Sequence, residues 1–153
     1  MAEITAARLI ASGLGSGYAP KAPGTAGSLA AVMIGAALLA WSPWAVLAAA
    51  ALACAAGVWA IGAIRPDGDP GWIVIDEFAG QWIALLGLAS PSPLGVLAAF
   101  ALFRLFDITK PGPVGWADRR HGPVWVMADD VIAGLIAAVV LVAVRAIAPG
   151  LLG

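Results

Sequence analysis

The stretch Phe103-Arg104-Leu105-Phe106-Asp107-Ile108-Thr109-Lys110-Pro111 sets an acid between two bases where a long apolar run ends. Nearly half of the chain's 17 charged residues lie between Arg104 and Asp130. Two more acidic pairs, Asp76-Glu77 and Asp129-Asp130, stand at the starts of apolar segments. Carboxylates held close raise one another's proton affinity unless a cation sits among them. Hard oxygen donors suit magnesium, which takes one or two carboxylates together with phosphate oxygens and water. If the fold brings them together, Asp76, Glu77, Asp107, Asp129 and Asp130 read as a divalent-metal site. Either pair alone is equally well explained as first-turn acids facing a helix dipole, but that account weakens for both pairs plus Asp107 at bilayer depth.

Gln81 lies four residues after Glu77 and shares its helix face, where it would orient Glu77 or a bound water, or make a polar contact between helices. Lys21 and Thr25 belong to a glycine- and proline-rich loop that opens a helix, an arrangement that can hold a phosphate and is also common in ordinary loops. Arg104 sits one helical turn before Asp107 inside an apolar run, so an intramembrane ion pair and phosphate binding are about equally good readings. His121 is the single histidine, which removes a histidine-based triad and a multi-histidine zinc site. It reads as a solvated loop residue. Cys54 has no second cysteine to pair with and reads as a small residue of an alanine-rich helix.

These residues need a scaffold, and the composition says which kind. The chain is 62% hydrophobic and 11% charged, with mean hydropathy +0.97, against about 25% charge in soluble domains. It therefore reads as a membrane protein. A net charge of −1 argues against nucleic acid as a partner, and the N-terminus lacks the basic and apolar regions of a signal peptide.

From Ala22 to Ile64 there are 43 residues without a charge, interrupted only by Trp41-Ser42-Pro43-Trp44. A span takes about 20 residues, so two helices are expected there. A third apolar segment runs from Trp72 to Ala89, a fourth and rather short one from Leu94 to about Ile108, and a last one from Met127 to about Ala148. The expected fold is an all-α polytopic membrane helix bundle of four to five membrane helices, a single domain over residues 1–153. Arg8, Lys21, Arg65, Lys110, Arg119 and Arg120 fall in the N-terminus and the two long loops, which the positive-inside rule puts in the cytoplasm. Arg145, near the far end, is the exception and would snorkel outward. With that topology, all five carboxylates meet at the cytoplasmic membrane boundary.

Four stretches carry a resemblance: Ala19-Pro-Lys-Ala-Pro-Gly-Thr-Ala-Gly-Ser-Leu-Ala30, Ile75-Asp-Glu-Phe-Ala-Gly-Gln81, Phe103-Arg-Leu-Phe-Asp-Ile-Thr-Lys-Pro111 and Met127-Ala-Asp-Asp-Val-Ile-Ala-Gly134. In this order they resemble the phosphatidylglycerophosphatase A family. The resemblance implies a Mg²⁺-dependent multi-pass enzyme of the bacterial cytoplasmic (inner) membrane, its active site facing the cytoplasm. It would remove the terminal phosphate of phosphatidylglycerophosphate to give phosphatidylglycerol.

The family's motif positions fall on Lys21, Thr25, Asp76, Glu77, Gln81, Arg104, Asp107, Lys110, Asp129 and Asp130. On this reading Asp107, Asp129 and Asp130, completed by Asp76 or Glu77, hold one or two Mg²⁺ ions, and Lys21, Thr25, Arg104 and Lys110 bind phosphate. Attack by water and attack by an aspartate both stay open, as do the identity of the general base and the oligomeric state. One departure stands out: Gly122-Pro-Val-Trp-Val-Met127 leads into the Asp129-Asp130 pair with less glycine than the family pattern, implying a stiffer approach. Two other classes are weighed against the enzyme. An ion-coupled transporter would spread its acids through the membrane depth and show an inverted repeat, and a non-catalytic lipid-binding protein would need no metal.

Overall fold

The computed structural model describes residues 5–68 and 70–153; Glu3 and Asp69 lie outside the described residues. Among these residues it is helical throughout, with α1 (Ala6–Ala11), a short 3-10 turn at Ser16–Tyr18, α2 (Pro23–Trp41), α3 (Pro43–Ile64), α4 (Ile75–Leu85), α5 (Pro93–Thr109), α6 (Pro113–Asp118) and α7 (Pro123–Ile147). Five of these helices open on a proline in the first turn, where the missing N–H costs nothing and the fixed φ suits the helix. Ser42 and Ser92 cap α3 and α5 by accepting from the Trp44 and Gly95 amides.

Each expected apolar segment contains a helix, but their lengths divide them. Three helices, α2, α3 and α7, are long and apolar enough to cross a membrane. At about 1.5 Å per residue, α5 is about 25 Å long and α4 only about 16 Å, short of the roughly 30 Å hydrocarbon core. The helix α4 stops at Leu85 although the apolar run continues to Ala89. Gly87 lies against the backbone of Ala138, leaving no room for a Cβ, and its carbonyl accepts a hydrogen bond from Arg145 Nη1 at 3.0 Å. A helix end away from water needs a partner for its free carbonyls. The Arg145 guanidinium therefore turns inward to the end of α4 and does not snorkel outward.

The short α4 is the hub and packs against α2, α3, α5 and α7. Its closest neighbour is α7, and two glycines make that approach possible. A Cβ on Gly134 would run into the Gly80 carbonyl, and one on Gly80 would strike the Phe103 ring and the Asp130 carbonyl. Small residues let membrane helices approach backbone to backbone. The Trp82 indole adds a tie to α2, donating to the Ala31 carbonyl at 2.8 Å.

The two ends of the bundle differ in chemistry. One end holds Trp41 and Trp44, 81% and 75% exposed, a position that suits tryptophan at a membrane–water interface. The chain terminus lies against the Ser90–Ser92 turn, where the Ser92 hydroxyl donates to the Leu152 carbonyl. The other end holds the start of α4, the end of α5, α6, the start of α7 and nearly all of the described charge.

Candidate functional site

At the charged end, α2, α4, α5 and α7 each contribute side chains to one cluster. Asp76 and Glu77 come from the first turn of α4 and Asp130 from the second turn of α7. One oxygen from each lies within 4.8 Å of the other two, a spacing that can hold a metal ion. Asp130 is 2% exposed. The Glu77 Oε2 and Asp130 Oδ2 atoms are buried with no hydrogen-bond partner among the described residues. Burial of unpaired carboxylate oxygens is costly, and a hard divalent cation is the partner their chemistry suits.

The other two acids hold bases. Asp107, at the inner face of the end of α5, pairs with Arg104 through Oδ2, and its Oδ1 lies 3.3 Å from Lys110 Nζ. Lys110 Nζ also donates to Asp129 Oδ2 at 2.6 Å and pairs with Asp118 Oδ1 at 3.4 Å. Asp129 Oδ1 accepts from the Asp130 amide at 3.0 Å, which fixes the two neighbouring acids relative to each other. Burial alone would lower the Lys110 proton affinity, but the hydrogen bond to Asp129 and the charges of Asp129, Asp130 and Asp107 outweigh it and hold the ammonium well above the usual lysine range. Lys110 is therefore a permanent cation beside the acids. Its backbone is left-handed, with φ 49°, an uncommon conformation for a residue with a side chain. That twist ends α5.

Arg104 links the two halves of the cluster. Besides Asp107, its Nη1 lies 3.9 Å from Glu77 Oε1 and its Nη2 lies 3.5 Å from the Thr25 hydroxyl. Gly24 stands so close to this group that a Cβ there would meet Glu77 Oε1. The first turn of α2 thus closes one wall, with Thr25 against Arg104. Lys21, in the loop before it, is exposed and makes no ion pair among the described residues.

Gln81 is fully buried one turn below Glu77, and neither of its amide atoms has a hydrogen-bond partner among the described residues. Of the five acids the sequence points to as a metal site, Asp76, Glu77 and Asp130 form the three-acid cluster. Asp107 and Asp129 sit beside it and hold Arg104 and Lys110.

Sequence reasoning passed over the surroundings of Lys110. Asp118 ends α6, a helix inside a segment that composition alone reads as a polar loop. The segment Gly122–Met127 is likewise helical: α7 starts at Pro123, so Asp129 and Asp130 lie in its second turn and not its first. His121 lines a cavity of about 740 Å³ together with Arg65 and Arg120. The Gly-Pro pairs at 112–113 and 122–123 were the available signals of these helix starts.

Comparison with known proteins gives the family of the chain. The sequence signature of the family described as phosphatidylglycerophosphatase A matches residues 9–145. The chain is 41% identical over 138 residues to a phosphatidylglycerophosphatase A of Escherichia coli, covering 87% of this chain and 80% of the relative. It is 40% identical over 142 residues to a phosphatidylglycerophosphatase A of Haemophilus influenzae, covering 90% and 87%. It is also 41% identical over 146 residues to a putative phosphatidylinositol-3-phosphatase of Bacteroides thetaiotaomicron, covering 90% and 92%. No solved structure gives a significant match. The signature match and these relatives show that this chain belongs to the phosphatidylglycerophosphatase A family and is a phosphatase enzyme.

Proposed function

We propose that the protein hydrolyses phosphatidylglycerophosphate to phosphatidylglycerol and inorganic phosphate, with Mg²⁺, at the cytoplasmic face of the bacterial inner membrane. The observation that carries this reading is the convergence of Asp76, Glu77 and Asp130 within 4.8 Å, with orphaned carboxylate oxygens on Glu77 and Asp130, beside the cations Arg104 and Lys110. A site that paired acid only with base would have served an ion pair. Here there are more buried carboxylate oxygens than bases to meet them.

Asp76, Glu77 and Asp130 would hold the metal, with Asp107 and Asp129 at the margin of the same site. When bound, Mg²⁺ supplies Lewis-acid polarisation of the phosphate and lowers the pKa of a nearby water. The chain's own residues do the rest. Arg104 and Lys110 neutralise the phosphate oxygens, as phosphoryl transfer depends on positioning and charge stabilisation. Asp107 holds both cations in place through its two oxygens, and Thr25 steadies the other edge of the Arg104 guanidinium. Lys21 meets the incoming headgroup from the exposed loop. Gln81, buried in the turn below Glu77 with its amide atoms unpartnered among the described residues, would orient a bound water.

In the reaction a water oxygen bonds to phosphorus while the bond from phosphorus to the glycerol oxygen breaks. A carboxylate of the site takes the water proton and passes it to the leaving glycerol oxygen as the bond to phosphorus breaks. The test is phosphate release from phosphatidylglycerophosphate in detergent, after a chelator strips divalent cations and again after Mg²⁺ is restored. Activity should vanish and return. Full activity in chelator would rule out the metal reading.

A further inference from the structure

The cavity of about 740 Å³ opens between the end of α3 and the start of α7, and its lining includes Asp129, whose Oδ1 accepts from the amide of Asp130 in the acid cluster. Its charged lining is Arg65, Arg120, Asp118 and Asp129, with His121 beside them. Both of those acids are already paired with Lys110 Nζ. Neither arginine has a carboxylate partner among the described residues. Arg120 is held by two indoles: its Cζ lies 4.2 Å from the Trp116 ring centre and 4.6 Å from that of Trp125. Those rings meet edge to face at 5.3 Å. Arg65 closes α3 in a left-handed backbone with φ 48°. The cavity thus offers two guanidinium groups, one of them fixed in position, next to a site for a phosphate monoester.

The substrate class named above carries two phosphates. Its terminal monoester is cut, and a short polyol separates that from the phosphodiester that joins the headgroup to diacylglycerol. We propose that Arg65 and Arg120 hold this phosphodiester in the cavity while the terminal phosphate reaches past Asp129 to the acid cluster. The proposal rests on the phosphatase reading above and adds the source of headgroup selectivity. Guanidinium groups bind phosphate oxygens with two parallel donors and stack on aromatic faces, which a lysine ammonium does less well. A lipid such as phosphatidate, whose only phosphate is the monoester, leaves this cavity empty.

The experiment compares wild type with Arg65→Gln, Arg120→Gln, the double variant and Arg120→Lys in detergent. It measures kcat and KM for phosphatidylglycerophosphate and for phosphatidate, and inhibition by phosphatidylglycerol, which has only the diester, and by inorganic phosphate. Wild type should favour phosphatidylglycerophosphate at least tenfold in kcat/KM. The double variant should lose at least tenfold of that preference, chiefly through KM. Inhibition by phosphatidylglycerol should weaken while inhibition by inorganic phosphate does not, and Arg120→Lys should fall between.

The preference is a ratio within one sample, so partial unfolding lowers both rates and leaves it unmoved. The proposal is overturned if wild type takes both lipids alike, if the variants keep the wild-type ratio, or if inorganic phosphate loses its hold together with phosphatidylglycerol. Phosphate release by wild type from neither lipid would instead overturn the phosphatase reading itself.

Discussion

Asp107 spends one oxygen on Arg104 and the other on Lys110, and both cations reach further acids, Glu77 and Asp129. The acid between two bases is thus a connector, and its neutralisation should loosen both cations together. Asp107→Asn is expected to lower kcat/KM about 100-fold, the scale seen when a positioned stabilising donor is removed, measured as phosphate release in detergent micelles. Lys110→Met should be at least as damaging, because it also leaves Asp129 buried without its cation. Since Lys110 is held above its usual range, it stays charged to pH 10 and beyond. Loss of activity between pH 8 and 10 that disappeared in Lys110→Arg would contradict this. The five acids and the two bases were legible from the chain alone, because charge inside apolar sequence is costly, about 2.5–3.5 kcal/mol per residue on insertion scales, and so rarely incidental. Their division of labour was not. Which carboxylate meets a base and which is left over depends on helix rotation, and no spacing in the sequence fixes that between α4 and α7.

The element that sets the site is α4, too short to span and pressed against α7 through Gly80 and Gly134. This contact places Asp76 and Glu77 opposite Asp130. Gly134→Ala should cost about 1–3 kcal/mol of stability, the usual range for overpacking, read as a lower unfolding temperature in detergent. It should also cut activity more than the stability loss explains, since it separates the acids. Gly68→Ala, at a glycine with no atom of the described residues near its absent Cβ, tests the backbone effect: its φ of 76° makes it strained without touching α7. The apolar helices were readable, with Trp41–Trp44 and Ser90–Pro93 breaking the apolar run where the turns are, while α6 and the first turn of α7 were not. The early end of α4 was not, because the hydrophobic pattern runs on to Ala89. What stops the helix is the close packing of Gly87 on Ala138 and its bond to Arg145, contacts made more than 50 residues apart in sequence.

At the scale of the molecule, charge and tryptophan sort the bundle into two unlike ends. The charged end bears the site together with Trp72, Trp116 and Trp125, each within cation–π distance of an arginine. The opposite end carries the α2–α3 turn and the chain terminus. With Cys54 first changed to Ser, single cysteines at Gly68 and at Ser90 should label from opposite sides of sealed membrane vesicles. Labelling from the same side would reject the topology. On the proposed function, Asp76, Glu77 and Asp130 together hold the divalent cation that drives phosphate removal. The most direct measurement of this is a Mg²⁺ titration of phosphate release from phosphatidylglycerophosphate by wild type and by Asp130→Asn, matched for unfolding temperature. The account predicts a maximal rate at least 100-fold lower in the variant and a higher Mg²⁺ concentration for half-activation; a wild-type rate with unchanged Mg²⁺ dependence would contradict it.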